Sequence, residues 1–226
     1  MRIGVLGTGV VGQTISGKLA ELGHDVMIGT RDVAGLMARK EPGMGLTVPF
    51  SEWHKQHPKV KVGTFREAAV HGECVFNCTA GDGALPALRL AGEASFSGKV
   101  LIDVSNPLDF SHGMPPTLSV CNTDSLGEQI QRAFPATRVV KTLNTTNARV
   151  MVNPAQVAGA DHTIFMSGND AEAKSRVAEF LKSFGWKDII DLGDITSARG
   201  AEMLLPIWLR LWGALPTPMF NFKVVR

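Results

Sequence analysis

Gly7, Thr8, Gly9, Val10, Val11 and Gly12 carry the spacing G-x-G-x-x-G, and Thr30 and Arg31 follow a second apolar run at 26–28. Backbone N–H groups freed by glycines suit a diphosphate, and a guanidinium beside a hydroxyl suits a further phosphate. The glycines have separable tasks. Gly7 makes the tight turn, Gly9 has no Cβ and lets a pyrophosphate reach the backbone, and Gly12 lets a helix lie close to the preceding strand. Arg31 with Thr30 at the strand end selects the 2′-phosphate of NADP, because an NAD site places Asp or Glu there to accept from the ribose 2′-OH. Asp32 is the alternative: with the strand shifted by one residue it becomes that acid. The bland readings are a glycine-rich turn in an ordinary βαβ unit and a solvated surface arginine.

A glycine pattern is specific only between the right elements. Residues 2–6 form a short β-branched apolar run, Val11, Ile15, Leu19 and Leu22 recur at helical spacing, and Gly23 stands where a helix end tolerates positive φ. The order is therefore strand, glycine turn, helix, strand.

The alternation continues. Short helices are expected over 33–40 and 50–57, with Trp53 inward and His54 and His57 on the surface. A strand at 60–62 leads to a helix over 64–71, where Thr64 and Glu67 have the capping-box spacing. The run 73–79 is apolar, as a buried parallel strand should be. A helix over 85–94, a strand at 99–104, a long loop over 109–123, a helix over 125–133 and strands at 138–143 and 162–167 follow. Asp170 caps a helix over 171–184, a short strand lies at 188–191, and an apolar helix over 195–215 carries Trp208 and Trp212, started or kinked locally by Pro206. The expected fold is α/β, a Rossmann-type doubly wound parallel sheet. Residues 1–168 form the NADP-binding domain and 169–226 a small C-terminal helical portion for substrate or dimer contact.

In such sheets the ligand lies outside the carboxyl ends of the strands. Those ends release Thr79 and Ala80, then Asn106, then Asn144, Thr145, Thr146 and Asn147. Small residues at 79–83 leave room for a cofactor, unless Asp82 is simply a helix cap. Asn106 can hydrogen-bond a ribose or the nicotinamide amide, or Asn106-Pro107 is a turn starter. The polar run at 144–147 is the best substrate-side candidate, with a solvated loop as its alternative. Trp208 and Trp212 suit a packed core, a dimer face or the wall of a planar partner.

The stretches IGVLGTGVVGQTISGKLAELGHDVMIGTRD, KVLIDVSNPL, VKTLNTTNARVMVNP and ARGAEMLLPIWLRLWGALPTPMFNFKVV span nearly the whole chain. In them the chain resembles the coenzyme F420 (deazaflavin):NADP oxidoreductases and their bacterial dinucleotide-binding relatives. The resemblance implies that Gly7, Thr8, Gly9, Val10, Val11 and Gly12 hold the pyrophosphate and that Thr30 and Arg31 hold the 2′-phosphate. It implies further that Ala80 and Asn106 line the adenosine-to-nicotinamide path and that Asn144 and Thr145 sit near the nicotinamide. Segments 44–59 and 109–122 look longer than in archaeal members and are expected to reshape the acceptor pocket.

The implied activity is hydride exchange between NADP(H) and coenzyme F420 or a flavin-like co-substrate. This is cofactor chemistry that asks the protein for proximity and orientation. No side chain is expected to be a catalytic acid or base, and the chain contains no tyrosine. The alternatives are an NADPH-dependent reductase of a small carbonyl or imine compound, which would want a proton donor, and a non-enzymatic NADP-binding sensor. The chain has 23 Lys and Arg against 21 Asp and Glu, too even a balance for a nucleic-acid partner. The expected partners are a small-molecule substrate and a second copy in a homodimer. No stretch of eighteen apolar residues argues for a membrane span. A first strand at Arg2 and three cysteines without zinc spacing fit a cytoplasmic protein without a signal peptide.

Overall fold

A computed structural model describes residues 1–226. β1 (Arg2–Leu6) leads through the glycine turn into α1 (Val10–Glu21), and β2 (Asp25–Thr30) returns parallel to β1, with Arg2 opposite Asp25 and Leu6 opposite Gly29. α2 (Val33–Ala38) and α3 (Phe50–Gln56) precede β3 (Lys61–Thr64), which adds beside β2. His54 and His57 are half-buried rather than surface residues. The His54 ring nitrogen lies 2.8 Å from the Val60 carbonyl, and His57 reaches the Trp53 carbonyl at 2.8 Å while stacking on the Trp53 ring. Each imidazole thus satisfies a backbone oxygen.

α4 (Phe65–His71) starts at the expected capping box. Thr64 Oγ1 accepts from the Glu67 N–H at 3.2 Å, and the Glu67 carboxylate accepts from the Thr64 N–H at 2.7 Å. β4 (Cys74–Asn77), α5 (Gly81–Ala91) and β5 (Val100–Asp103) follow, then a small hairpin of β6 (Leu108–Asp109) and β7 (Thr117–Leu118) within the expected loop. α6 (Leu126–Ala133), β8 (Arg138–Thr142) and α7 (Ala148–Val152) lead to β9 (Thr163–Gly168), α8 (Ala171–Phe184) and β10 (Asp188–Asp191).

Eight of the ten strands form one sheet in the order β10-β9-β8-β5-β4-β1-β2-β3. The six strands from β3 to β8 are parallel. β9 runs antiparallel to β8, with Thr142 opposite Met166, and β10 is parallel to β9. The expectation of a wholly parallel sheet is corrected at this edge. A parallel neighbour needs a crossover that returns the chain to the opposite edge of the sheet. Residues 143–162 contain only the five-residue α7 and single turns, too short a helix to span the sheet, so the chain re-enters from the edge where β8 ended. The fourteen-residue α8 does make that return, and β10 is parallel to β9 in consequence.

Both faces of the sheet are buried. Ile3, Val5, Phe76, Ile102 and Val140 point toward α1 and α8, where Ile15, Leu19, Val177 and Phe180 meet them. Leu6, Val75, Leu101 and Val139 point the other way, toward Ala68, Leu88 and Ile130 of α4, α5 and α6. The period of two within β4, β5 and β8 gives the continuous apolar runs of a doubly covered sheet.

The expected single helix over 195–215 is two helices, α9 (Ala198–Met203) and α10 (Leu205–Ala214), interrupted at Leu204. Pro206 has no N–H to give the Glu202 carbonyl, so the ladder breaks one turn after α9 begins. No helix is long and apolar enough to cross a membrane. Loss of the Thr64 hydroxyl frees the Glu67 N–H. Thr64→Ala is therefore expected to cost about 1 kcal/mol, a fall in Tm of about 2–4 °C for a chain of this size, measured by thermal melting.

Candidate active site

β1 and β4 are neighbours whose connections leave in opposite directions along the sheet, the switch point of a doubly wound fold. At this point Gly7 turns with φ of +107°, and a Cβ there would stand 2.7 Å from the Cys78 carbonyl. A Cβ on Gly12 would stand 1.9 Å from the Gly7 carbonyl oxygen, so only glycine lets α1 lie against the end of β1. A Cβ on Gly9 would meet nothing within 4 Å. Gly9 is the residue at the cap of α1; no side chain caps that end and no acid lies in the first turn. The N–H groups of Val10, Val11 and Gly12 therefore face outward beneath an open backbone. Gln13 Nε2 donates to the Thr8 carbonyl at 2.9 Å and fixes the loop.

β2 continues to Thr30, so Arg31 is the first residue beyond the strand. Asp32 is committed elsewhere: its Oδ1 accepts from the Gly35 N–H at 3.0 Å and caps α2. A cavity of about 410 Å³ is lined by Thr8, Thr30, Arg31, Arg39 and Phe65, with Asp32 as its one carboxylate. Arg39 was not singled out in the sequence. It stands just beyond a six-residue helix, and nothing in its spacing reveals that it lines one cavity with Thr8.

Thr79, Ala80 and Asn106 line a second cavity of about 320 Å³ together with Val11. Its mouth carries Met44 and Phe110, which are 94% and 52% exposed, so the two segments noted for their length both reach it. Asp82 is not the cap of α5, as one alternative held. Ala80 occupies the cap and Asp82 lies in the first turn. A Cβ on Gly81 would stand 1.9 Å from the Asn106 carbonyl, so glycine brings the start of α5 against the Asn106 loop. Burial pushes the Cys78 thiol well above its ordinary value, which keeps it protonated in this wall.

The run 144–147 is not a solvated loop. Asn144, Thr145 and Thr146 are buried, and Asn147 caps α7 by accepting from the Arg149 N–H at 3.0 Å. Leu143, a non-glycine residue, turns with φ of +61° to aim the run inward. Asn106 and Asn144 pair: Asn144 Nδ2 donates to Asn106 Oδ1 at 3.0 Å, and Asn106 Nδ2 donates to the Asn144 carbonyl at 2.9 Å. The hydroxyls of Thr145 and Thr146 have no hydrogen-bond partner within the chain. Trp208 is buried against Phe220, whereas Trp212 is 41% exposed and faces Met114 and Pro115 across a separate cleft.

Beneath Asn106 and Asn144 lies a buried charge cluster. Lys141 Nζ sits 2.8 Å from Asp103 Oδ2 and 2.8 Å from Glu202 Oε1. Burial works against the ammonium charge, but the two carboxylates outweigh it and hold Lys141 above its ordinary value. The signal was present in the sequence: a lysine and an aspartate interrupt two runs otherwise apolar enough to be central strands.

The open cradle at Gly9, the uncapped start of α1 and two guanidiniums in one cavity fit a phosphorylated dinucleotide. Gly9→Ala is expected to leave Tm within about 2 °C and to weaken NADPH binding at least about tenfold by obstructing the diphosphate approach. Gly12→Ala is expected to destabilise the free protein itself. Thermal melts and fluorescence titrations of both variants separate the two roles.

Residues 2–107 match the family described as NADP oxidoreductase, coenzyme F420-dependent. A crystal structure from Arthrobacter sp. FB24, provisionally named an F420-dependent NADP-reductase, is 59% identical over the full length of both chains, with a TM-score of 0.96. The F420-dependent NADP reductase of Methanothermobacter marburgensis is 28% identical over 93% of this chain and 92% of its own. The rat metalloreductase STEAP3 is 28% identical over 92% of this chain, which spans only 38% of that protein's length. Agreement with the Arthrobacter structure from end to end, together with the family match across the dinucleotide half, makes this chain a member of the coenzyme F420-dependent NADP oxidoreductases.

Proposed function

We propose that this protein transfers hydride between NADP(H) and coenzyme F420. The observation that carries the nucleotide half of this reading is the cavity that Arg31 and Arg39 share with Thr8 and Thr30 while Asp32 is occupied by its own helix. A ribose 2′-OH would need that carboxylate; a 2′-phosphate needs the guanidiniums. The N–H groups from Val10 to Gly12 take the diphosphate, helped by the dipole of α1, with Gly7 and Gly9 leaving its approach open. Thr79, Ala80 and Asn106 line the path toward the nicotinamide, and Asn144 and Thr145 lie at its far end.

Bound NADPH supplies the hydride from its nicotinamide ring. This chain's share is to hold that ring in register with a second planar ring and to keep water away. Met44 and Phe110, both exposed and both lining the Asn106 cavity, offer apolar surface for that second ring. The names of the Arthrobacter and Methanothermobacter relatives support coenzyme F420 as the acceptor.

Arg31→Ala is expected to raise the KM for NADPH at least about tenfold, roughly 1.4 kcal/mol, and to leave NADH nearly unchanged. Arg39→Ala is expected to act in the same direction. Equal losses with both nucleotides would remove the 2′-phosphate assignment. Anaerobic oxidation of NADPH is then assayed with coenzyme F420, FMN, FAD and a panel of carbonyl and imine compounds. Turnover with coenzyme F420 is the expected result. Turnover with free flavins alone or with carbonyl or imine compounds alone would replace that acceptor, and tight NADPH binding without turnover would point to a sensor.

A further inference from the structure

The cluster around Lys141 does more than fill the core. Its ammonium donates to the Ser105 carbonyl at 2.5 Å in addition to its two carboxylates. Asp103 Oδ1 in turn accepts from the Ser105 N–H at 3.2 Å and the Ser105 hydroxyl at 2.7 Å. Residue 105 is thereby held on its N–H, its side chain and its carbonyl, and the next residue is Asn106. Asp103 Oδ1 also accepts from Asn77 Nδ2 at 2.8 Å, and Asn77 Oδ1 accepts from the Thr79 hydroxyl at 2.7 Å.

Glu202 ties the same centre to the C-terminal helices. Its carboxylate accepts from the Leu126 N–H at 2.8 Å and the Gly127 N–H at 3.0 Å at the start of α6. The preceding carbonyl, that of Ala201, accepts from Asn144 Nδ2 at 3.2 Å. Thr79, Asn106 and Asn144 are thus each linked to this centre through a short chain of hydrogen bonds. Neither the cradle from Gly7 to Gly12 nor Arg31 makes a hydrogen bond to it.

Apolar side chains of similar volume can replace a buried ion cluster with little loss of stability. They cannot hold the Ser105 carbonyl or align Asn106 with Asn144. We propose that Lys141, with Asp103 and Glu202, is a positioning residue: it fixes the polar edge against which the nicotinamide lies, and contributes little to gripping the phosphates. This rests on the NADP(H) reading above.

The test is the charge-balanced variant Lys141→Met/Asp103→Asn, with Glu202→Gln, which keeps the side-chain volume, as a second variant. Each is examined by thermal melting, by NADPH titration, by the emission of the bound nicotinamide and by steady-state turnover. The expected result is a Kd for NADPH within about twofold of the parent, since no hydrogen bond ties the glycine cradle or Arg31 to the cluster. Bound-NADPH emission is expected to shift toward that of free NADPH. The kcat is expected to fall at least about tenfold, because misplacement of a reacting ring is costly. A folded variant with parental emission and kcat would overturn the proposal. So would a loss of affinity as large as the loss of kcat, or failure of both variants to fold, since each makes the cluster a general support. If the parent protein itself fails to turn over coenzyme F420, the acceptor assignment fails, while the emission and affinity measurements still decide the role of Lys141.

Discussion

The approach of α1 to β1 at Gly12 sets the rest of the molecule. With 1.9 Å between a hypothetical Cβ and the Gly7 oxygen, helix and strand share a backbone contact that no other residue permits. That contact points the start of α1 at the switch point, with three N–H groups unspent. The groups proposed to recognise phosphate are then arranged around one helix end. The open backbone at Gly9 lies at that end, and the cavity lined by Arg31 and Arg39 shares Thr8 with the same loop. A looser approach would leave the same residues in the chain but would not bring Thr8 and Thr30 to one cavity.

The other end of the site is built on a different principle. Around β1 and β2 the recognition groups are backbone N–H donors and exposed guanidiniums, which need little support. Around β4, β5 and β8 they are amides and hydroxyls, which recognise a ligand only if held at fixed angles. The structure supplies those angles from underneath, through carboxylates and an ammonium shielded from water. In that setting hydrogen bonds to charged groups are strong and an unpaired member is expensive. On the proposed reading, phosphate affinity and ring placement draw on separate interactions and can vary separately.

The fold of the first thirty residues was legible because its signals are local. Strand, glycine turn, helix and strand lie within thirty residues, and the capping residues Thr64 and Asp170 announce their helices from sequence alone. What escaped was non-local. Arg39 joins Thr8 only through the fold of a short helix and its connecting turns. Lys141, Asp103 and Glu202 lie on three separate elements, and each alone looks like a misplaced charge. The roll of polar residues at 144–147 was visible, but its burial was not, because that depends on Leu143 turning with positive φ. The reversed β9 escaped for a related reason: strand direction is decided by the length of the preceding connection, and apolar runs look alike in either direction.

That reversal bears on the site. Because β9 starts beside the end of β8, the connection 143–162 stays on the carboxyl edge instead of crossing beneath the sheet. It leaves Asn144 against α9, where its Nδ2 donates to the Ala201 carbonyl. α8 and β10 then carry the chain away and back, so that α9 arrives over the same edge with Glu202 directed at Lys141. The break at Leu204, imposed by Pro206, ends α9 just after Glu202. α10 then starts a new course, with Trp208 buried and Trp212 partly exposed. A continuous helix would tie the direction of the Trp face to the position of Glu202. The proline separates them, so that α9 serves the buried cluster while α10 is free to shape the outer wall.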